Sequence, residues 1–379
     1  MTTGPTDRPL RIVLTHLYAW PEVRRGAERY VHELAAALTR AGHQVEVLTT
    51  APRSERLTVL GVPVRAFRRR RCLPWRYGDQ AAEVAFGLQS LLHLAFRRVD
   101  VWHAVSTGDG AGAGLLGRLR PGLVTVYTEA GLPWREAYRA QRADHRLYES
   151  LMRNAGTVVC LSRPASEAAS TDYGRHAETV PAGVDLTAFP CGDAREPRPV
   201  LLFPASLSEP RKHVEWVLEA AALLADRGSP VEVWLVGPGQ LPEGLSDLAR
   251  RGLSAVTLHR TVDAEALPEL YRRAWVTVLP SDGEVFGLVV LESLASGTPA
   301  VVRDDGLGPA QLVTEATGVR CEPGGEGVAQ ACVRALELAA LPATRQACRD
   351  VAERYDWDRV VVPALLPLYR AARDARMSA

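Results

Sequence analysis

The chain has 379 residues, with 45 basic and 44 acidic side chains and a formal net charge of +1, so no overall field steers it to nucleic acid or to an anionic membrane. At 47% apolar and 23% charged residues it is neither disordered nor fibrous, and its length implies two domains of roughly 150 to 200 residues. Apolar runs are short; even VVVPALLPL over 360–368 is too short and too Pro-broken to span a bilayer. The opening MTTGPTDRPLRIVL lacks the basic and apolar segments of a secretory leader, and a cytoplasmic protein is expected.

In chain order, LRIVLT over 10–15 reads as a strand, GAERYVHELAAALTRAGH as an amphipathic helix closed by Gly42, and QVEVLTT as a second strand. The alternation recurs through VDVWHAVS, a Gly/Ala-rich helix, LVTVYTE, a long helix from Arg135 to Asn154, and GTVVCLS. PAGVDLTAFPCGDAREPRP, over 181–199, has four prolines and no helical period, which marks a linker. A second series follows: PVLLFPAS, a helix from Val214 to Arg227, PVEVWLVG, AVTLHR, WVTVLPS, a helix from Leu288 to Ser296, PAVV, and a helical tail over Asp358 to Arg373. Buried strands alternating with helices, twice over, predict an α/β chain of two Rossmann-like, doubly wound domains, 1–190 and 198–355, facing a central cleft.

Six cysteines show no CxxC pair, and nine histidines include no HExxH; reduced structural thiols and no metal site are expected. Of the 45 basic residues 44 are arginines, and the single lysine is Lys212. A codon bias toward arginine explains the ratio, and the exception points to a position that needs a compact ammonium.

The most informative stretch is PSDGEVFGLVVLESLASGTPAVV, 280–302. A strand ends at Ser281, a loop carries Glu284, Gly287 permits close approach to a helix start with free N–H groups, and Glu292 lies one to two turns in, where it can accept from a ribose diol. The plainer reading is two solvated glutamates, one of them favoured by the helix dipole.

The segment resembles the ExFGLxxLE signature of the retaining GT-B glycosyltransferases of family four, in particular their actinobacterial mannosyltransferase-like members. Other stretches agree along the chain: RGAERYVHELAAALTRAGHQVEVLT, DVWHAVS, VPAGVDLTAF, ASLSEPRKHVEWVLEAAALL, VEVWLVGPG and LPELYRRAWVTVLPS. YDWDRVVVPALLPLY is similar to the helix that crosses back to the first domain, here 356–379. The resemblance implies the GT-B fold and a nucleotide diphosphate sugar, UDP- or GDP-linked, as co-substrate, with no other cofactor. Glu284 would contact the sugar, the Phe286–Gly287–Leu288 backbone the donor, Glu292 the ribose, and Lys212 the phosphate. Gly26 would approach the diphosphate, and Arg25, which replaces the first glycine of the family's pair, is taken with it. Transfer would pass through an oxocarbenium-like state without a metal, and Lys212 would stabilise the departing phosphate.

Two positions depart from the family pattern. Ser206 stands where an arginine usually precedes the lysine, and Tyr127 stands where a histidine usually ends the TVxH strand; Arg211, Arg24 or Arg25 are candidates to restore the charge. Acceptor recognition is assigned to His16, Tyr18, Trp20, His103, Tyr127 and Glu129, all at strand C-terminal ends. His103, at a family position, is also placed with Lys212 and Glu284 as catalytic, and a structural role is equally open for His16. The expected acceptor is a small polar natural product, linked through oxygen, nitrogen or sulfur, as in antibiotic biosynthesis; the alternatives are a lipid or envelope glycan and a non-catalytic nucleotide-sugar-binding protein.

GAGLLG, Gly112 to Gly117, is a literal GxGxxG, but it lies past its strand and in the third βα unit, so helix packing explains it better than a nicotinamide site. The DxD of Asp356, Trp357 and Asp358 is read as a helix N-cap at Asp358. AFRRRRCLPWRY over 66–77, with Arg68, Arg69, Arg70 and Arg71, is either a solvated basic loop or a weak peripheral membrane contact.

Overall fold

A computed structural model describes residues 8–18, 23, 25–70, 78–135, 142–192, 194–241, 256–259, 262 and 266–377. The chain divides into two compact units, Met1–Gly183 with Trp357–Ala379, and Val184–Asp356. Residues 184–190, expected with the first domain, belong to the second: Arg349 donates to the carbonyls of Leu186 and Phe189 at 3.1 and 2.8 Å.

The first unit runs β1 (Arg11–Thr15), α1 (Gly26–Arg40), β2 (Gln44–Ala51), β3 (Glu55–Val59), β4 (Val62–Arg68), α2 (Gly78–Leu94), β5 (Val101–Ala104), α3 (Thr107–Leu119), β6 (Val124–Glu129), α4 (Arg142–Asn154), β7 (Thr157–Cys160), α5 (Arg163–Tyr173) and β8 (Glu178–Thr179). Its sheet has the order β3-β4-β2-β1-β5-β6-β7-β8, parallel apart from β3, which pairs antiparallel with β4. All four residues of β5 and all six of β6 are buried, because helices cover both faces of a parallel sheet and leave no wet side. β1 pairs with both β2 and β5, so the winding reverses there, the point where open α/β sheets present their ligand crevice.

The second unit runs β9 (Val200–Phe203), a 3₁₀ turn over Pro210–Lys212, α6 (Val214–Asp226), β10 (Glu232–Val236), β11 (Val256–His259), α7 (Leu267–Arg273), β12 (Val276–Leu279), α8 (Leu288–Ala295), β13 (Ala300–Arg303), α9 (Gly308–Leu312), β14 (Gly318–Cys321), α10 (Gly324–Ala340) and α11 (Pro342–Glu353). Its parallel sheet, β11-β10-β9-β12-β13-β14, packs Leu201, Phe203, Val233, Leu235, Val276 and Val278 into one core with α6 and α10. The winding reverses between β9 and β12.

The tail returns to the first unit. A π-helical turn over Trp357–Val361 leads into α12 (Val362–Met377). Trp357, 1% exposed, donates through Nε1 to Glu33 Oε2 at 3.0 Å. Gly183 makes room for it, since a Cβ there would meet the indole at 2.4 Å. Asp358 does not cap a helix: its carboxylate takes a bidentate contact from Arg40 of α1, with Nε to Oδ2 at 2.9 Å. Among the described residues no helix is long and apolar enough to cross a membrane.

The GxGxxG glycines serve packing inside α3. A Cβ on Gly112 would meet the Gly87 carbonyl of α2 at 3.0 Å, and one on Gly114 the Asn154 carbonyl of α4 at 2.9 Å. Neither glycine lies in a phosphate-binding loop.

Candidate active site

In the second unit the reversal point brings together the loop after β9 and the loop after β12. The first loop ends in the 3₁₀ turn Pro210–Lys212, and the second carries Glu284. Glu284 Oε1 accepts from Lys212 Nζ and, at 2.9 Å, from Arg211 Nη1. The lysine and glutamate side chains are only 13% and 15% exposed, so charges here are poorly screened and act more strongly than on an open surface. Arg211 donates again to the Asp282 carbonyl at 3.4 Å, and Asp282 N–H returns a bond to the Arg211 carbonyl at 2.9 Å. The two loops are thus stitched main chain to side chain.

His213, next to Lys212, holds a left-handed backbone at φ 53°, one of two non-glycine residues with positive φ among those described. Three contacts fix it there. Its ring stacks flat on Trp216, with centroids 3.6 Å apart and planes 2° apart; Nδ1 lies 2.8 Å from Glu215 Oε1, and Nε2 lies 2.9 Å from Asp282 Oδ2. Arg303 adds a bond to Asp282 Oδ1 at 3.1 Å. Burial would raise the Asp282 pKa, but the His213 and Arg303 hydrogen bonds outweigh it and hold the carboxyl below its ordinary range. Strain of this kind, about 1–2 kcal/mol for a non-glycine in this region, persists where surrounding contacts over-determine it.

After Glu284 the chain turns at Gly287, φ 86°, which precedes the first residue of α8, Leu288. Phe286 is 6% exposed and lies edge-on to Tyr355 at 5.6 Å. A Cβ on Gly308 would sit 2.5 Å from the Phe286 Cα, so the turn is clamped from behind. Glu292 is buried on α8, with Oε2 accepting from Tyr271 Oη of α7 at 2.9 Å. Ser206 lies in the loop after β9, half-buried; Gly237 approaches it so closely that a Cβ would be 3.3 Å from Ser206 N.

In the first unit the expected residues fall into two groups. His16, Tyr18, Arg25 and Gly26 stay at the C-terminal end of β1. His16 Nδ1 is 2.8 Å from Ser106 Oγ and Nε2 is 3.5 Å from Glu28 Oε1. Burial opposes ionisation of Glu28, yet the His16 hydrogen bond prevails and its pKa is lowered. Two guanidinium groups lie over the Tyr18 ring, Arg69 at 4.8 Å and Arg25 at 5.5 Å from its centroid. Arg25 precedes α1 with a side chain 68% exposed, and Gly26 opens the helix. Trp20, Arg24 and Arg71 lie outside the described residues.

The second group does not face a ligand. His103, expected to be catalytic, is fully buried under α12: Nδ1 is 2.7 Å from Tyr369 Oη and Nε2 is 2.6 Å from Thr128 Oγ1. Burial pushes its pKa down to about 3, so it is a neutral core histidine. Tyr127 and Glu129 are 3% and 4% exposed. Glu129 accepts from Tyr127 Oη at 3.0 Å, from Tyr148 Oη, and from Gly131 N–H at 2.7 Å. A carboxylate so occupied joins β6 to α4 and leaves no oxygen turned to an acceptor; burial raises its pKa. The basic run is not one flat cluster either, because Arg69 turns inward onto Thr50 Oγ1 at 3.0 Å, while Arg68 and Arg70 are exposed.

Residues 24–188 match the glycosyltransferase family 4 domain, and residues 198–338 match the domain described as glycosyl transferases group 1. The chain belongs to the family 4, group 1 glycosyltransferases. It is accordingly a nucleotide-sugar glycosyltransferase of the GT-B type. Similar proteins include a GDP-mannose-dependent alpha-(1-6)-phosphatidylinositol dimannoside mannosyltransferase of Mycobacterium tuberculosis, 29% identical over 93% of this chain and 94% of that protein. A D-inositol 3-phosphate glycosyltransferase of Kribbella flavida is 28% identical over 99% of both. Among solved structures, the sucrose-phosphate synthase of Thermosynechococcus elongatus superposes with a TM-score of 0.79 at 22% identity, covering 96% of this chain and 99% of that one, a likeness of fold.

For a family 4 glycosyltransferase, the Asp282–His213–Trp216 cluster and Tyr271 are what reading the sequence missed. A partial signal existed, because His213 directly follows the lone lysine and Asp282 precedes Glu284 by two. Nothing in the residue string announces that a ring beside Lys212 stacks on one three residues later.

Proposed function

We propose that the chain transfers a sugar with retention of configuration, without a metal ion, from a UDP- or GDP-linked sugar to a small polar acceptor of the natural-product type. The observation that carries this reading is the meeting of Lys212 and Arg211 on one oxygen of Glu284, beside the Gly287 turn at the reversal point of the second sheet. Two cations already converge where a diphosphate would need them, and the missing arginine at Ser206 is offset by Arg211. On arrival of the donor, Lys212 and Arg211 exchange part of their contact with Glu284 for phosphate oxygens, which frees the carboxylate to accept from sugar hydroxyls.

As the glycosidic bond breaks, negative charge grows on the leaving phosphate. A cation fixed beforehand in a poorly screened site stabilises that charge more in the transition state than in the ground state. The departing phosphate oxygen takes the acceptor's proton on the same face, so retention follows without an enzymic base, in keeping with the burial of His103 and Glu129. Glu292, oriented by Tyr271, is assigned to the ribose. The full-length similarity to an inositol phosphate glycosyltransferase supports an acceptor that is small and polar.

A thermal-shift series with UDP, GDP, ADP and dTDP tests the donor, since a nucleotide at about a hundred times its Kd stabilises by about 2.7 kcal/mol. Turnover with the best donor then tests the site. Lys212→Ala is expected to lower it by roughly 10²- to 10³-fold at unchanged Tm. Near-normal turnover, or no stabilisation by any of the four nucleotides, refutes the assignment.

A further inference from the structure

The turn that follows Glu284 is held from behind by the segment after β13. Gly308 N–H donates to the Glu284 carbonyl at 3.3 Å. A Cβ on Gly308 would meet the Val285 carbonyl oxygen at 2.0 Å, and one on Gly287 would meet Pro309 Cγ at 2.9 Å, so the two stretches of chain touch along 284–287. Just upstream, the Asp305 carboxylate accepts from Leu307 N–H at 2.9 Å and from Gly283 N–H, and Arg303 reaches Asp282. Where Gly308 and Pro309 sit therefore sets the conformation of the turn.

Those two residues open α9, a helix of five residues and about 7.5 Å in length. A single turn of helix cannot hold itself in place, and its last carbonyls have no partner within the helix. Both needs are met from β14, the edge strand of the second sheet. Arg320 donates through Nε and Nη2 to the Ala310 carbonyl at 3.1 and 2.8 Å, and through Nη2 to the Val313 carbonyl at 3.4 Å. A planar guanidinium suits this task because it forks onto one oxygen and still spans to a second, and its charge complements the negative end of the helix. Gly318, Val319 and Cys321 of β14 are buried and Arg320 is exposed, so the one side chain that leaves the core straps α9 to the strand. Arg320 lines an open cavity with Gln311, Val313, Thr314 and Leu338, and truncating it leaves no buried void.

We propose that Arg320 is a positioning residue for the sugar donor: through α9 it fixes the Glu284–Leu288 turn, and so governs binding of the sugar and diphosphate that the turn would meet. The inference rests on the assignment of that turn to the donor made above. The nucleoside end is assigned instead to Glu292, which Tyr271 holds from α7, and it does not depend on Arg320. Calorimetric titration of the whole chain with UDP-glucose and UMP, and with GDP-mannose and GMP, provides the test, for wild type, Arg320→Gln and, as a control, Glu284→Gln. Arg320→Gln is expected to weaken the sugar nucleotide that wild type binds by roughly two- to thirtyfold, the range for a substitution that acts on a site through packed elements. The matching monophosphate should stay within a factor of about two, with little change in Tm, as for an ordinary surface substitution. If the variant melts early, Arg320→Lys, which keeps the cation and loses the fork, takes its place with the same expectation. Wild-type affinity for the sugar nucleotide in the variant, or an equal loss for sugar nucleotide and monophosphate, overturns the proposal, the second because it marks a general loosening of the unit. The control separates this failure from that of the site. If Glu284→Gln weakens the sugar nucleotide and Arg320→Gln does not, the turn binds the donor without help from Arg320; if neither does, the turn is not the donor's and the inference falls with it.

Discussion

Replacing His103 by glutamine and lowering the pH separates a core histidine from a catalytic one. In the folded chain the imidazole is buried between Tyr369 and Thr128, and its pKa is pushed down to about 3; in the unfolded chain it titrates near 6.5. A depressed folded pKa means that the unfolded state takes up the proton first. The stabilising contribution is complete above about pH 6.5 and is lost progressively as the pH falls toward 3. At pH 5 the unfolded state is favoured by about 2 kcal/mol from this group alone, relative to pH 7.5. His32, pushed down to about 4 by burial and by neighbouring His16, adds a loss of the same sign. Asp109 and Glu129, whose pKa values burial raises, work the other way, because the folded state then binds the proton first.

The wild-type profile is therefore a sum of opposing contributions, and only a difference isolates His103. Tm is to be measured for wild type and His103→Gln at pH 7.5 and at pH 5. The variant melts lower at pH 7.5, and at pH 5 the gap between the two closes by about 2 kcal/mol, or roughly 4–8 °C for a unit of this size. An equal gap at both pH values refutes the buried, neutral histidine. A fall in turnover of about a hundredfold at unchanged Tm would return His103 to the catalytic group.

His213→Gly adopts the left-handed backbone without strain but loses the Trp216 stack and both carboxylate contacts. Turnover is expected to fall roughly ten- to a hundredfold as Lys212 loses its anchor, with little change in Tm; wild-type turnover would show that only the backbone conformation matters there. Gly183→Ala drives a methyl into the Trp357 indole and is expected to cost about 1–3 kcal/mol, read as a lower Tm with an unchanged response to nucleotide. A Tm within a degree of wild type would mean that the tail is not seated as described.

The architecture was largely legible. Strands such as VLLF at 200–203 and VTVL at 276–279 are short apolar runs, and their burial on both faces follows directly from a parallel sheet. The β3–β4 hairpin was not, because ERLTV and VPVRAFR mix charge and apolar residues on an edge where one side stays wet. The pairing of Lys212 with Glu284 could be anticipated only as two residues of one site. That both touch, and that Arg211 shares the same oxygen, depends on how two loops 71 to 73 residues apart are stitched.

Burial separates three of the expected site residues of the first unit from the rest. Tyr127 and Glu129 are expected at the site because strand C-terminal ends carry ligands in this class of fold, and His103 because it also stands at a family position; neither ground says what covers that edge of the sheet. Here α12 returns from the far end of the sequence to place Tyr369 on His103, and α4 places Tyr148 on Glu129. Polar side chains at the expected positions were consumed in holding helices to the sheet, each satisfied by a partner that no local pattern announces. The second unit differs in kind. Lys212 and Arg211 share one oxygen of Glu284 at side-chain exposures of 13%, 44% and 15% for lysine, arginine and glutamate, and they sit on loops; in the function proposed above, an incoming diphosphate exchanges with these contacts. The distinction between a structural and a chemical polar group lies in that exchange. A bonded histidine with no exposure has nothing to trade, whereas a half-dry carboxylate shared by two cations can give both up to a ligand of the same sign.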